Sequence, residues 1–188
     1  MEPRIDLSSP AQAGALKAMM GLESYVRRSG LEAPLLHLIK TRASQINGCA
    51  YCIDMHTKDA RADGESEQRL YALNAWRETP FFSARERAAL EWTESVTLVS
   101  ESHVPDETYA SVREQFSQDE LANLTMAIVA INGWNRIAIQ VENLAELVDR
   151  LKSHEVRFRN DIVKGPGGSQ ILCEDPSGNP IELFEPAS

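Results

Sequence analysis

The sequence predicts an α+β protein, in which an all-helical domain precedes a small βαβββ module. Two observations carry this prediction. Apolar residues recur at helical spacing from about residue 10 to Trp134. After Arg136 the pattern changes to short alternating runs separated by turn residues. We therefore expect two domains, covering residues 1–136 and 137–188.

Four helices are expected in the first part of the chain. The first covers residues 10–28, with its apolar residues on one face. The second covers residues 34–47, because Pro34 suits the first position of a helix. A turn at Asn47-Gly48 leads into a third helix that ends near residue 64, and a fourth covers residues 66–76.

Three further helices complete the predicted helical domain, at residues 83–99, from residue 105, and from residue 117 to about 134 or 136. Ser83 and Ser117 each precede a glutamate by three residues, which is the spacing of a capping box. We interpret acids on these helices, such as Glu86 and Glu94, as parts of solvated faces, since nothing pairs them at a defined spacing.

The C-terminal module is predicted from alternation and turn residues. It begins with a strand at 137–141, followed by a short helix whose apolar stripe ends at Leu151. Three more strands follow, at residues 156–160, 170–174 and 181–185.

The run Cys49-Ala-Tyr-Cys52-Ile-Asp-Met-His56 contains the strongest chemical signal. A helix N-terminus lowers the pKa of a thiol, and the thiolate is the reactive form. Cys52 and His56 are four residues apart and share one helix face, while Cys49 is close enough to bridge Cys52. A redox pair is therefore favoured over a zinc site, which needs four ligands, because the remaining cysteine, Cys173, lies far along the chain.

Residues 43–56 closely resemble the alkylhydroperoxidase AhpD-like branch of the carboxymuconolactone decarboxylase family. Residues 86–94 and 123–138 look like later helices of the same domain, so the resemblance covers about residues 5–139. It implies a thiol-dependent peroxidase that reduces hydroperoxides and forms trimers or hexamers. Cys52 would attack the peroxide, and Cys49 would resolve the sulfenate as a disulfide that an external dithiol or protein reductant reopens. In thioredoxin-type motifs the N-terminal cysteine is the nucleophile, so the order of the two cysteines stays open.

His37 lies twelve residues before Cys49, where the resemblance leads us to expect a glutamate that relays protons to the histidine after the cysteines. An imidazole also relays protons near neutral pH, so we predict that His37 joins Cys52, Cys49 and His56 as a catalytic residue. The alternative is a helix histidine with a structural role only.

Residues 137–186 are similar to one module of the vicinal oxygen chelate superfamily, which includes the glyoxalases and bleomycin-resistance proteins. That superfamily builds a metal site from two modules, with a glutamate where Glu182 stands and a histidine where this chain has Arg136. One donor cannot hold a metal ion, so we expect no metal here. We predict instead that the module pairs with a neighbouring subunit, because its edges and apolar face need cover.

Composition limits the other functions. The formal net charge of −9 disfavours binding to nucleic acid or to an anionic membrane. No nucleotide-binding glycine motif is present, so no cofactor is expected, and the N-terminal residues lack signal-peptide character, so a cytoplasmic protein is expected. Three alternatives to the peroxidase remain: a lactone decarboxylase, a metal-dependent glyoxalase-like enzyme, and a non-catalytic redox sensor or binding protein.

Overall fold

The computed structural model describes residues 13–137, 148–149, 151–152, 156–165, 168–174 and 180–186. The chain divides into two compact units, one of residues 14–138 and one that includes residues 139–188. Helices build the first unit, and an antiparallel sheet lies in the second. The predicted α+β class is therefore confirmed.

The first unit is made of successive helices joined by short turns. In chain order these are α1 (Ala13–Arg27), α2 (Ala33–Asn47), α3 (Ala50–Ala62), α4 (Glu67–Ala72), a 3₁₀-helix (Leu73–Glu78), α5 (Ala84–Thr97), α6 (Val99–Ser102), α7 (Asp106–Gln115) and α8 (Gln118–Ile137). The capping boxes predicted at Ser83 and Ser117 are both present, with Glu86 and Glu120 as their acidic partners. The predicted fourth helix tightens into the 3₁₀ form after Ala72.

Helix α2 lies at the centre of this unit and packs in two directions. On one side Ile39 joins the main core, which includes Leu124 and Ile128 of α8. On the other side Leu38 joins a second cluster that contains Leu73, Trp76, Phe82 and Leu90. Because α2 is packed on both sides, the position of its C-terminal end is fixed, and so is the start of the turn that contains the cysteines.

The interpretation of the acids as solvated faces fits Asp54, whose side chain is 53% exposed, but it is wrong for Glu86 and Glu94, which are partly buried. Glu94 accepts hydrogen bonds from Arg42 Nε and Trp76 Nε1, both at 2.8 Å, and from Arg77. Glu86 pairs with Arg69. These cations come from other elements of the fold, and sequence spacing along one helix does not reveal them. The hydrogen bonds hold the pKa of each carboxyl below its usual value, against the effect of burial.

The sheet of the second unit has the order β1 (Val163–Gly165), β2 (Gly168–Glu174) and β3 (Pro180–Pro186), with both pairs antiparallel. The predicted strands at 170–174 and 181–185 are confirmed. The hydrophobic core of the second unit contains Val148, Ile171, Cys173 and Leu183.

The strand predicted at 156–160 is wrong. Only Phe158 forms a bridge, to Cys173. Nearby, the Asn160 side chain rather than a backbone carbonyl accepts the Leu172 N–H, at 2.8 Å, so the ladder does not continue there. Regular pairing with β2 begins only at Val163.

At the junction between the units, α8 extends to Ile137, the first residue of the strand expected at 137–141. The rest of that strand lies outside the described residues. Residues 148–149 and 151–152 are helical, within the region of the expected short helix. Across the described ranges, no helix has both the length and the apolar character needed to cross a membrane.

Candidate functional site

The cysteine motif is held by a tight turn between α2 and α3. Gly48 adopts a left-handed conformation (φ 67°), which favours glycine and ends α2. The Cys49 N–H then donates to the Ser44 carbonyl at 3.0 Å. Cys49 is the N-cap of α3, and its sulfur accepts a hydrogen bond from the Cys52 N–H at 3.4 Å. The predicted placement of the motif at a helix N-terminus is therefore confirmed.

The two thiols form a buried, reduced pair. Their Sγ atoms lie 2.7 Å apart, and no disulfide joins them. The exposed fraction is 9% for Cys49 and 2% for Cys52. Ala43 of α2 and Ile131 of α8 pack against them.

Hydrogen bonds to its sulfur lower the pKa of Cys49. The Cys52 thiol donates to the Cys49 sulfur and is the main cause that lowers the pKa of Cys49 to about 6, with the Cys52 N–H and the Asn135 amide adding to it and burial opposing it. The pKa of Cys52 is raised, because its proton is held by the Cys49 sulfur and because it is buried. The hydrogen bonds to its sulfur thus favour the charged form of Cys49.

His56, one turn after Cys52, is a neutral and buried histidine with an exposed fraction of 7%. Burial lowers its pKa to about 3, and the positive charges of Lys40, His37 and Arg27 contribute. Its Nε2 atom is buried and has no hydrogen-bond partner among the described residues. The unpartnered nitrogen of a neutral imidazole is free to accept a hydrogen bond.

His37 is close enough to His56 for its charge to affect the pKa of that residue. Its own Nε2 atom lies 2.8 Å from Asp63 Oδ2. Asp63 caps the C-terminal end of α3, and its side chain is 55% exposed. His37 therefore connects a solvent-exposed carboxylate with the region around His56.

Sequence reasoning identified four of these residues and missed two. The structure brings Cys49 and Cys52 into direct contact and buries His56 on the same helix. Asp63 was missed because 26 residues separate it from His37 and no motif links them. Asn135 was also missed, although Asn132 and Asn135 stand three apart in the mainly apolar C-terminal half of α8, and that spacing was an available signal.

A metal centre finds no support in the described ranges, where no three His, Cys, Asp or Glu side chains are grouped to hold an ion. The Glu182 side chain lies outside what the structure describes.

A helical unit with a reduced Cys-x-x-Cys pair capping one helix, and a buried histidine one turn later, defines a class of helical two-cysteine proteins. Within this class, the chain belongs to the carboxymuconolactone decarboxylase family, whose model matches residues 13–95. Residues 87–183 match the glyoxalase/bleomycin resistance protein/dioxygenase superfamily. Residues 87–137 of that second match are part of the helical unit, in the segment from α5 to α8.

Three relatives illustrate the similarity. The uncharacterized protein YdfG of Bacillus subtilis is 47% identical over 145 residues, which cover 77% of this chain and 98% of that protein. A crystal structure of a protein of unknown function from Agrobacterium tumefaciens, described as a candidate antioxidant defence protein AhpD, is 49% identical with a TM-score of 0.69, covering 73% of this chain and 93% of that one. The debrominase Bmp8 shares the fold at 20% identity, with a TM-score of 0.62 over 76% of this chain and 77% of its own.

Proposed function

We propose that this protein is a thiol-dependent peroxidase that reduces hydroperoxides through a Cys49–Cys52 disulfide cycle. The observation that carries the proposal is the contact of the two sulfurs at a helix N-terminus, where hydrogen bonding lowers the pKa of Cys49. A thiolate of low pKa beside a second thiol is the arrangement that peroxide reduction and disulfide formation require. The similarity to a protein described as a candidate AhpD supports the same chemistry.

The cycle has three balanced steps. The Cys49 thiolate attacks the terminal oxygen of ROOH, the O–O bond breaks, and ROH leaves after taking up a proton, which gives a sulfenic acid on Cys49. The Cys52 sulfur attacks that sulfenic acid and water leaves, which forms the disulfide. An external dithiol then donates two electrons and two protons, which restores both thiols and leaves the reductant as a disulfide.

Cys49 as the attacking sulfur reverses the order that the spacing of Cys52 to His56 suggested. The geometry of Cys49 supports the reversal, because Cys49 is the N-cap of α3 and its sulfur accepts the Cys52 N–H, which adds to the lowering of its pKa. Cys49 is also the more exposed of the two. During disulfide formation the Cys52 proton leaves with the sulfenic acid oxygen as water, and the Nε2 of neutral His56, unpartnered among the described residues, is available to accept a hydrogen bond. His37, paired with Asp63, relays from solvent the proton that ROH takes up.

The test is a single turnover of the reduced protein with hydrogen peroxide and with an organic hydroperoxide, with thiols counted and products mapped by mass spectrometry. We expect wild type to lose two thiols and form the Cys49–Cys52 bridge. We expect Cys52→Ser to stop at a Cys49 sulfenic acid and Cys49→Ser to lose the fast reaction. Cys173→Ser is the matched control, because Cys173 is a buried cysteine of the other unit and its oxidation is not needed. Oxidation of wild type no faster than a free thiol would refute the peroxidase proposal.

We also propose that the protein works as a homo-oligomer, with a trimer or hexamer expected. Met126 and Val129 are apolar side chains of α8 with exposed fractions of 37% and 45%. Apolar groups on one helix face are suited to an interface between subunits. Light scattering at several protein concentrations tests this, and a monomer at all of them would contradict it.

A further inference from the structure

Helix α8 presents an asparagine to the sulfur pair. The Asn135 side-chain amide is close enough to the sulfur pair to lower the pKa of both Cys49 and Cys52. Its Nδ2 atom lies 3.0 Å from Ser44 Oγ, beside the Ser44 carbonyl that accepts the Cys49 N–H. Among the identified causes that lower the pKa of Cys49, each is a hydrogen bond, and none is a nearby cation. Which atom of the amide faces the sulfurs therefore decides whether this residue supports a thiolate, since only Nδ2 can donate to it.

A network of amides anchored on backbone carbonyls determines that orientation. Carbonyl oxygens only accept, so the Nδ2 atoms that face them are fixed. Asn132 Nδ2 donates to the Ile128 carbonyl at 2.9 Å, which turns Asn132 Oδ1 toward Asn47. Asn47 Nδ2 donates to the Ala43 carbonyl at 2.9 Å and also to Asn132 Oδ1 at 3.0 Å.

The same network reaches Asn135 from two sides. Asn47 Nδ2 also lies 2.9 Å from Asn135 Oδ1 and shares its two hydrogens among three acceptors, which favours the oxygen of Asn135 on that side. Ser44 Oγ donates its proton to the Lys40 carbonyl at 2.8 Å, so it can only accept from Asn135 Nδ2, at 3.0 Å. Both contacts place the Asn135 NH₂ group on the side of Ser44 and the sulfurs, and its second N–H is left for the sulfur pair.

We propose that Asn135 is a catalytic residue of the thiol site, whose oriented N–H donates to the Cys49 sulfur whenever that sulfur is negatively charged. Its part in turnover rests on the proposed peroxidase function. In the reductive step, the reductant thiolate attacks the Cys52 sulfur, the S–S bond breaks, and Cys49 leaves with the electron pair. The Asn135 and Cys52 N–H groups receive that charge, and a better stabilised thiolate leaves faster.

The experiment measures the pKa of Cys49 without any peroxide, by the pH dependence of its alkylation with iodoacetamide, with the modified site located by mass spectrometry. Removing a hydrogen bond to a charged group in Asn135→Ala should raise the pKa by about one unit, which lowers the alkylation rate about tenfold at a pH below the pKa. Asn135→Asp keeps the shape but replaces the donor with an acceptor, and should raise the pKa further. Asn47→Ala removes a contact that holds the Asn135 amide in its orientation, so that the amide can flip, and this variant should raise the pKa of Cys49 by a smaller amount.

The matched control is Asn123→Ala, a second asparagine of α8 whose Nδ2 donates to the Ser29 carbonyl. It should leave the pKa of Cys49 unchanged. A wild-type measurement avoids dependence on variant folding: the Asn135 side-chain amide resonances should shift as Cys49 titrates. An unchanged pKa of Cys49 in both Asn135 variants would overturn the role of Asn135. Asn135 amide resonances whose chemical shifts stay constant while Cys49 titrates would do the same. Because no peroxide is used, this result is independent of whether the protein proves to be a peroxidase.

Discussion

Protonation of His56 should make the helical unit less stable in mild acid. Its pKa falls from 6.5 to about 3 in the folded protein because it is buried among positive charges. The unfolded chain therefore binds a proton below pH 6.5 that the folded chain does not, so this contribution to stability is complete above pH 6.5 and is lost as the pH falls toward 3. At pH 5 the loss amounts to about 2 kcal/mol of unfolding free energy.

The assay is urea unfolding at pH 8 and pH 5, followed by tryptophan fluorescence. The three tryptophans of the chain, Trp76, Trp92 and Trp134, all lie in the helical unit, so the signal reports that unit. His56→Gln removes the titrating group, and we expect its free energy of unfolding to fall between the two pH values by about 2 kcal/mol less than that of wild type. The comparison cancels other groups such as Asp59, whose pKa is raised mainly by burial and whose effect has the opposite sign.

His103→Asn is the control, because His103 is an exposed histidine in a left-handed turn of the same unit, a conformation that asparagine tolerates. It should keep the pH dependence of wild type. If wild type and His56→Gln lose stability in parallel between pH 8 and pH 5, the reasoning about His56 is wrong. A His56 imidazole resonance that titrates near pH 6.5 would lead to the same conclusion.

Three other predictions concern the thiol pair and the scaffold. Cys52→Ala removes the main donor to Cys49 and should raise the pKa of Cys49 from about 6 toward that of an ordinary thiol, whereas Cys52→Ser keeps a donor and should keep most of the lowering. Thiolate absorbance measured against pH gives both pKa values. Equal pKa values in the two variants would show that the Cys52 thiol is not the main donor to Cys49. Ser83→Ala removes the cap of α5 and should cost about 1 kcal/mol in urea unfolding, while Ser83→Asn should cost little. Leu38→Ala empties a fully buried site and should cost about 2 to 5 kcal/mol, and a loss below that range would show that the surrounding cluster collapses around the gap.

Many helix ends and turns of the helical unit could be predicted from the sequence because each depends on residues that are close together in the chain. The capping boxes at Ser83 and Ser117 and the turn at Gly48 each depend on residues a few positions apart, and the structure has all three. The strand predicted at 156–160 from β-branched and aromatic residues is limited to the bridge at Phe158, because backbone pairing stops where the Asn160 side chain accepts the Leu172 N–H. Glu94 was wrongly predicted to be part of a solvated face, because its hydrogen-bond partners Arg42, Trp76 and Arg77 come from other elements of the fold.

The sequence by itself determined the chemistry of this protein: two cysteines at the start of a helix with a histidine one turn on, within a helical chain that a sheet module follows. Only the tertiary structure decided how that chemistry is tuned. The pKa of Cys49 is lowered mainly because the Cys52 thiol and N–H donate to its sulfur, and the pKa of His56 is lowered because burial removes it from water. These effects depend on hydrogen bonds and burial between residues as far apart as Ser44 and Asn135, and proximity of that kind is created only when the chain folds.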